Sequence, residues 1–313
     1  MAIAAVVIIP IGLLFLVSSL IVNLLQVELY ADQETFKMLS GKEHALLICN
    51  HRSDIDWLVG WVLAQRAGCL GSALALIKKG INTSPLIGWS MWFYGFIFLE
   101  RNWAKDEDTM KSGFEALSDF PMPFWLALFV EGTRFTQEKW FACCRKHIDS
   151  SGFVAAVTHL RPFIPVIYNM IVAIPKNEPP PTLLRLFRGR SSTVHVHIER
   201  HLMQELRETN SGIAQRCKDV FVAKDAFSER HLATDTFGND IRCDIGRPKR
   251  SLLVVICWSC LLLLAIVEFF EMYPFSWGEV AFCVIADLNL CIPAKRPTEV
   301  DDGLTDVPPF VND

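Results

Sequence analysis

A histidine and an aspartate stand five residues apart in Asn50-His51-Arg52-Ser53-Asp54-Ile55-Asp56, the first place where this chain could do chemistry. They follow an apolar strand-like run, Ala45 to Cys49, and precede an apolar helical pattern over 56–68. On one continuous helix, side chains five apart share a face poorly. With His51 in a strand-to-helix turn and Asp56 in the first helical turn, the carboxylate can fold back onto an imidazole nitrogen. A histidine held in that way takes a proton from a hydroxyl at neutral pH, and such general-base help is worth about 10²–10⁴ in rate. Three other readings of the same residues stay open. Ser53 or Asp54 can cap the helix. Asp54-Ile55-Asp56 can be a D-x-D clamp for a metal and a nucleotide-sugar, and His51 can be a metal ligand. Capping accounts for one polar residue rather than the cluster, and no second histidine stands at metal spacing nearby.

A second constellation supplies what an anion needs. In Phe129-Val130-Glu131-Gly132-Thr133-Arg134-Phe135, Gly132 lets the backbone approach a ligand closely. Amides around Gly132 and Thr133, with the Arg134 guanidinium, can grip a phosphate, and Glu131 can position the arginine. Arg101 follows another strand-like run, and Lys78 and Lys79 precede a Pro-Gly turn. Each alone is a solvated surface charge; gathered at strand ends beside His51, they make an anion pocket. Farther on, Val194-His195-Val196-His197 puts two histidines on one strand face, with His201 beyond. That spacing suits zinc, but no cysteine or acid completes the set in sequence, so no metal is expected.

Elements must hold these residues in place. Strands are expected at 45–49, 124–130, 162–168 and 192–199, and helices at 56–68, 105–119 and 213–224. Strands alternating with helices predict an α/β domain, a sheet covered by helices, with catalytic residues in loops beyond strand ends. The 313 residues are 51% hydrophobic, and the mean hydropathy of +0.30 points to membrane segments. Residues 1–27 carry no charge and read as an N-terminal membrane anchor, retained because a basic start is lacking. Residues 28–250 then form the catalytic domain, 251–273 a C-terminal membrane segment, and 274–313 a weakly apolar and finally acidic tail. Lys37 and Lys42 follow the first apolar run, and Arg247, Lys249 and Arg250 precede the second. That asymmetry places the domain between them in the cytosol. A net charge of −4 argues against nucleic acid. The ten cysteines show no disulfide framework and suit a reducing compartment.

Three blocks in this order, N-H-x-x-x-x-D at Asn50–Asp56, F-L-E-R at Phe98–Arg101 and F-V-E-G-T-R at Phe129–Arg134, resemble those of the glycerolipid acyltransferase superfamily. Stretches such as WLVGWVLAQR, GWSMWF, NWAKDE and PPPTLLRLF look like the plant endoplasmic-reticulum type of 1-acyl-sn-glycerol-3-phosphate acyltransferase. The likeness runs from about Gln33 to Leu262. It implies a glycerolipid-acyltransferase-like fold with N- and C-terminal membrane helices. It also implies acyl-CoA as donor and lysophosphatidic acid as acceptor, giving phosphatidic acid, with membrane lipid as a further partner and no cofactor. Carried over, His51 is the base and Asp56 its orienting partner. Glu131, Gly132, Thr133 and Arg134 bind the acceptor phosphate, assisted by Arg101 and by Lys78 or Lys79. The expected site is the cytosolic face of the endoplasmic reticulum membrane. Another lysophospholipid, glycerol 3-phosphate, or a catalytically silent homologue are the alternatives. One departure favours the last: Lys139 to Ser151 runs almost directly into an expected strand near Gly152, where the family carries a basic proline-containing block. A second is Asn169, where the family has aspartate.

Overall fold

The structure, a computed structural model, describes residues 23–51, 53–81, 87–100, 102–130, 150–207, 209–238, 241–246 and 249–272. One sheet organises them. Its strands are β1 (Leu25–Ala31), β2 (Ala45–Cys49), β3 (Ala73–Lys78), β4 (Ile97–Leu99), β5 (Trp125–Leu128), β6 (Val166–Ala173), β7 (Ser192–Leu202) and β8 (Ile241–Cys243). Their order is β4-β3-β5-β2-β6-β7-β1-β8. From β4 across to β6 neighbouring strands run parallel, and β7 then reverses against β6. The helices are α1 (Gln33–Met38), α2 (Asp56–Ala67), α3 (Ile87–Phe93), α4 (Trp103–Leu117), α5 (Ser151–Leu160), α6 (Leu183–Phe187), α7 (Asn210–Thr234) and α8 (Lys249–Met272).

β2 shows why the sheet lies at the centre. All five of its residues are buried, as expected of a parallel strand covered on both faces. Leu47 and Cys49 pack with Leu58, Val59, Val62 and Leu63 of α2. Leu46 and Ile48 face the other way, onto Phe114 of α4, Phe153 and Val157 of α5, and Cys217 and Phe221 of α7. Burial pushes the Cys217 thiol, and that of Cys69 after α2, up to about 12.

The start of β2 is tied down by charge. The Arg200 guanidinium forks onto Glu43 through Nε and Nη2 at 3.0 and 2.9 Å, and the Tyr168 hydroxyl donates to the same carboxylate at 2.7 Å. Burial alone would raise the Glu43 carboxyl, but the Arg200 fork and the Tyr168 hydroxyl outweigh it and hold the carboxyl below its ordinary value. A carboxyl depressed in the fold stabilises it above the ordinary glutamate value of 4.5, and that stabilisation disappears as pH falls through the depressed one. Melting temperature followed from pH 7 downward should therefore drop on acidification below about 4.5, and drop less steeply in Glu43→Gln. Parallel curves for the two proteins would exclude this contribution.

Several expectations need correction. The strand expected near Gly152 is helix α5: Phe153, Ala156, Val157 and Leu160 are buried at helical spacing, so the valines here serve a helix face. β6 begins at Val166, not at 162, and runs on to Ala173. Leu25 to Val27, read as the end of an anchor, lie in β1, paired with β7. Among the described residues no helix is long and apolar enough to cross a membrane. The uncharged part of α8, Ser251 to Val267, is closed off by Arg250 and Glu268, short of the about 20 residues that a span needs. The anchor's first 22 residues and the tail beyond Met272 lie outside the described residues.

Candidate active site

The loop after β2 is shaped by side chains that imitate backbone. The Asn50 amide donates to the Val172 carbonyl at 3.0 Å and accepts from the Val172 N–H at 2.8 Å. That extends the β2–β6 pairing by one rung and fixes where the chain leaves the sheet. Ser53 Oγ accepts from the Ile55 N–H at 3.2 Å and donates to the Pro181 carbonyl at 3.1 Å. α2 then starts at Asp56, preceded by Ile55 with no side-chain cap, so capping by Asp54 does not explain the cluster.

Within that loop His51 Nδ1 lies 2.9 Å from Asp56 Oδ2, and the Ser53 N–H donates to the same oxygen at 2.9 Å. The Asp56 side chain is 1% exposed and that of His51 23%. Asp56 occupies the first turn of α2, where the helix dipole favours an anion. A carboxylate only accepts, so this bonding assigns the proton to Nδ1 and makes Nε2 the nitrogen whose lone pair can take another. Because Asp56 is buried against His51 and Ser53, it does not reach out beside Asp54 as a D-x-D clamp must.

The parallel strands deliver the other candidates to the same edge of the sheet. Ile48 registers with Leu128, so the chain after β5 emerges beside the His51 loop, and Phe129 lies against the His51 ring at 5.2 Å. Lys78 ends β3 opposite Leu99 of β4. It is exposed, whereas Lys79 is held by Glu100 at 2.5 Å. Arg101 and Glu131, Gly132, Thr133 and Arg134 lie outside the described residues; their flanks, Glu100, Asn102 and Val130, are at the strand ends where the phosphate site is expected.

Two buried charged groups near this edge escaped the sequence reading. Asp106 is 5% exposed and accepts from the N–H of Glu100 at 2.8 Å and of Asn102 at 2.9 Å. One carboxylate thus grips the two amides that flank Arg101. Asp106→Ala should cost about 1–3 kcal/mol, the usual penalty for buried donors left without an acceptor, read as a lower melting temperature. It should also raise KM for a phosphorylated acceptor more than it lowers kcat, and an unchanged KM would separate Asp106 from the site. The other group is Lys224 of α7, 2% exposed, whose Nζ donates to the carbonyls of Ile48 at 2.6 Å and Met170 at 2.9 Å. It pins α7 beneath the strand that carries the loop. An acid on an amphipathic helix and a lysine in a charged helix both read as solvated in sequence, and neither carries a local signal.

The amino-acid sequence of the chain also matches known families. An acyltransferase family profile covers residues 28–169, and an acyltransferase C-terminus profile covers 185–258. The chain is 50% identical to 1-acyl-sn-glycerol-3-phosphate acyltransferase 2 of Arabidopsis thaliana, over 93% of this chain and 90% of that protein. It is 48% identical to the Brassica napus protein of the same name, over 93% of this chain and 90% of that one. With the gamma form of Homo sapiens it shares 32% identity over 77% of this chain and 67% of that one. The chain belongs to the 1-acyl-sn-glycerol-3-phosphate acyltransferase family. The Brassica napus alignment spans 350 positions although it takes in only 93% of a 313-residue chain, so the relative carries segments with no counterpart here.

Proposed function

We propose that the protein transfers an acyl chain from acyl-CoA to the sn-2 hydroxyl of lysophosphatidic acid, giving phosphatidic acid. The observation that carries this is the 2.9 Å contact between His51 Nδ1 and the buried Asp56 carboxylate. His51 Nε2 takes the hydroxyl proton as the oxygen attacks the thioester carbonyl, and Asp56 stabilises the imidazolium that forms. The tetrahedral intermediate collapses, the C–S bond breaks, and the CoA sulfur leaves with the proton that Nε2 returns. No covalent enzyme intermediate is needed, and a thioester is already activated, so the chemistry calls for no cofactor. Arg101, Glu131, Gly132, Thr133 and Arg134, with Lys78 or Lys79, bind the acceptor phosphate.

Such a lipid acceptor places the site at a membrane, and the reading extends to the cytosolic face of the endoplasmic reticulum. Two surfaces support the membrane contact, though not the choice of membrane. Consecutive Leu252, Leu253 and Val254 of α8 are all exposed, although successive helical residues point about 100° apart. A helix apolar all round belongs in lipid or a large core. On and after α3, Trp89, Trp92, Phe93 and Tyr94 are exposed together, Phe93 by 81%, the aromatic composition of a membrane interface. We extend the same reading to residues 1–22 as an N-terminal anchor and to α8 with the residues after it as a second membrane segment.

Full-length protein in detergent, given labelled oleoyl-CoA, should convert lysophosphatidic acid to phosphatidic acid. It should prefer this lipid over monoacylglycerol, its phosphate-free analogue, by about 10²-fold or more, the worth of two charge-assisted hydrogen bonds. Equal use of the two would remove the phosphate from recognition. Faster use of glycerol 3-phosphate or lysophosphatidylcholine would change the acceptor. Complete inactivity would favour a silent homologue, the reading that the shorter chain between Lys139 and Ser151 suggests.

A further inference from the structure

The sequence gives no reason to expect a metal at His195, but the fold brings it other candidate ligands. His195 on β7 faces the end of α7, where its Nδ1 is 2.9 Å from His231 Nε2. Asp235, the residue that caps α7, brings a carboxylate oxygen to them, and the three ligand atoms lie within 4.8 Å of one another. Both histidines are buried, His195 at 8% and His231 at 1% exposure, while Asp235 is half-buried at the surface and leaves a way in. We propose that His195, His231 and Asp235 bind a divalent transition-metal ion, zinc being the test case, which fastens the end of α7 to the sheet.

The groups behind the ligands fit that chemistry. Glu28 Oε2 lies 3.3 Å from His195 Nε2. The carboxylate is itself fixed by Arg242 at 2.8 Å and by the Tyr30 hydroxyl at 3.2 Å. A proton on Nε2 donates to Glu28 and leaves Nδ1 as a lone pair aimed at the cluster, the carboxylate–histidine–metal relation common to zinc ligands. The Lys176 N–H donates to Asp235 Oδ1 at 2.9 Å, which orients the carboxylate. Two imidazoles, one carboxylate and a solvent-side fourth position are a donor set that zinc accepts in tetrahedral geometry. A simple N–H···N bond between the histidines explains the pair but leaves out the Asp235 oxygen within 4.8 Å of their ligand atoms.

The test uses the full-length protein in detergent, stripped with chelator and titrated with Zn²⁺ against a chromophoric competitor. The wild type should take up one equivalent at this site, and its melting temperature should rise with zinc. Asp235→Asn keeps the Lys176 contact and His231→Gln keeps a polar group, and each should weaken uptake by at least about tenfold, a low estimate for loss of one ligand when outer-shell partners alone are worth 10–100-fold. His201→Gln, outside the cluster, should bind as the wild type does. Should His231→Gln fail to fold, Co²⁺ in the wild type answers the question, since tetrahedral nitrogen–oxygen ligation gives intense visible bands that Asp235→Asn should bleach. No zinc uptake by the wild type, or equal uptake by all the variants, would reduce the cluster to a hydrogen-bonded histidine pair. None of these readouts depends on acyl transfer.

Discussion

Replacing His51 with alanine is expected to lower kcat for acyl transfer by about 10²–10⁴, the range for losing a positioned general base, with little change in KM for acyl-CoA or stability. The side chain is 23% exposed and its ring touches Phe129, so its removal opens no large cavity. The loop keeps its shape without it. Asn50 still pairs with Val172, and Ser53 still bonds to Asp56, Ile55 and Pro181. A drop in rate with unchanged melting therefore reports on proton transfer rather than on unfolding. Release of CoA thiol, followed with a chromogenic reagent, measures it directly. A His51→Ala protein that keeps more than about a tenth of wild-type kcat would take His51 out of the mechanism, because positioning alone would then be carrying the reaction.

What was legible in the sequence follows the range of the forces involved. β2, bounded by its polar loop, was read as 45–49 and is Ala45–Cys49. The helix after it was also plain, because polar residues punctuate an apolar run there. α4, expected at 105–119, is Trp103–Leu117, with Met110, Phe114 and Leu117 at three- and four-residue spacing all buried. β1 was hidden because its first three residues continue an uncharged run, and only its pairing with β7 and β8 shows it to be strand. α5 was misread because valine and phenylalanine favour strands locally, while packing decides their fate here. The site divides in the same way. His51 and Asp56 are five residues apart and interact through one turn, so spacing revealed them. Asp106 serves amides six and four residues away, but a buried acid and a solvated one look alike in a charged helix. His195 and His231 are 36 residues apart and meet only where the end of α7 lies against β7. No local pattern encodes such a meeting.

Asp56→Asn should be nearly as damaging to kcat as loss of the histidine, by about 10²–10³, and the reason is more specific than loss of a contact. In a comparable triad the same exchange costs about 10⁴, because the amide turns its NH₂ to the imidazole and forces the wrong tautomer. Here both partners bond to a single atom: His51 Nδ1 and the Ser53 N–H each sit 2.9 Å from Asp56 Oδ2. The Ser53 amide can only donate, so it holds an oxygen at that position and opposes the flip. The substituted side chain then keeps the histidine's reactive nitrogen unprotonated but lacks the negative charge that stabilises the imidazolium in the transition state. The loss should fall on kcat, with KM for both substrates within about twofold, since an interaction made only in the transition state leaves ground-state binding alone. Asp56→Ala should be slower still than Asp56→Asn, because its imidazole is neither oriented nor stabilised. Equal rates for the two variants would mean that the Ser53 amide does not control the tautomer. An Asp56→Asn enzyme with wild-type kcat would show that charge behind the ring contributes nothing to the step.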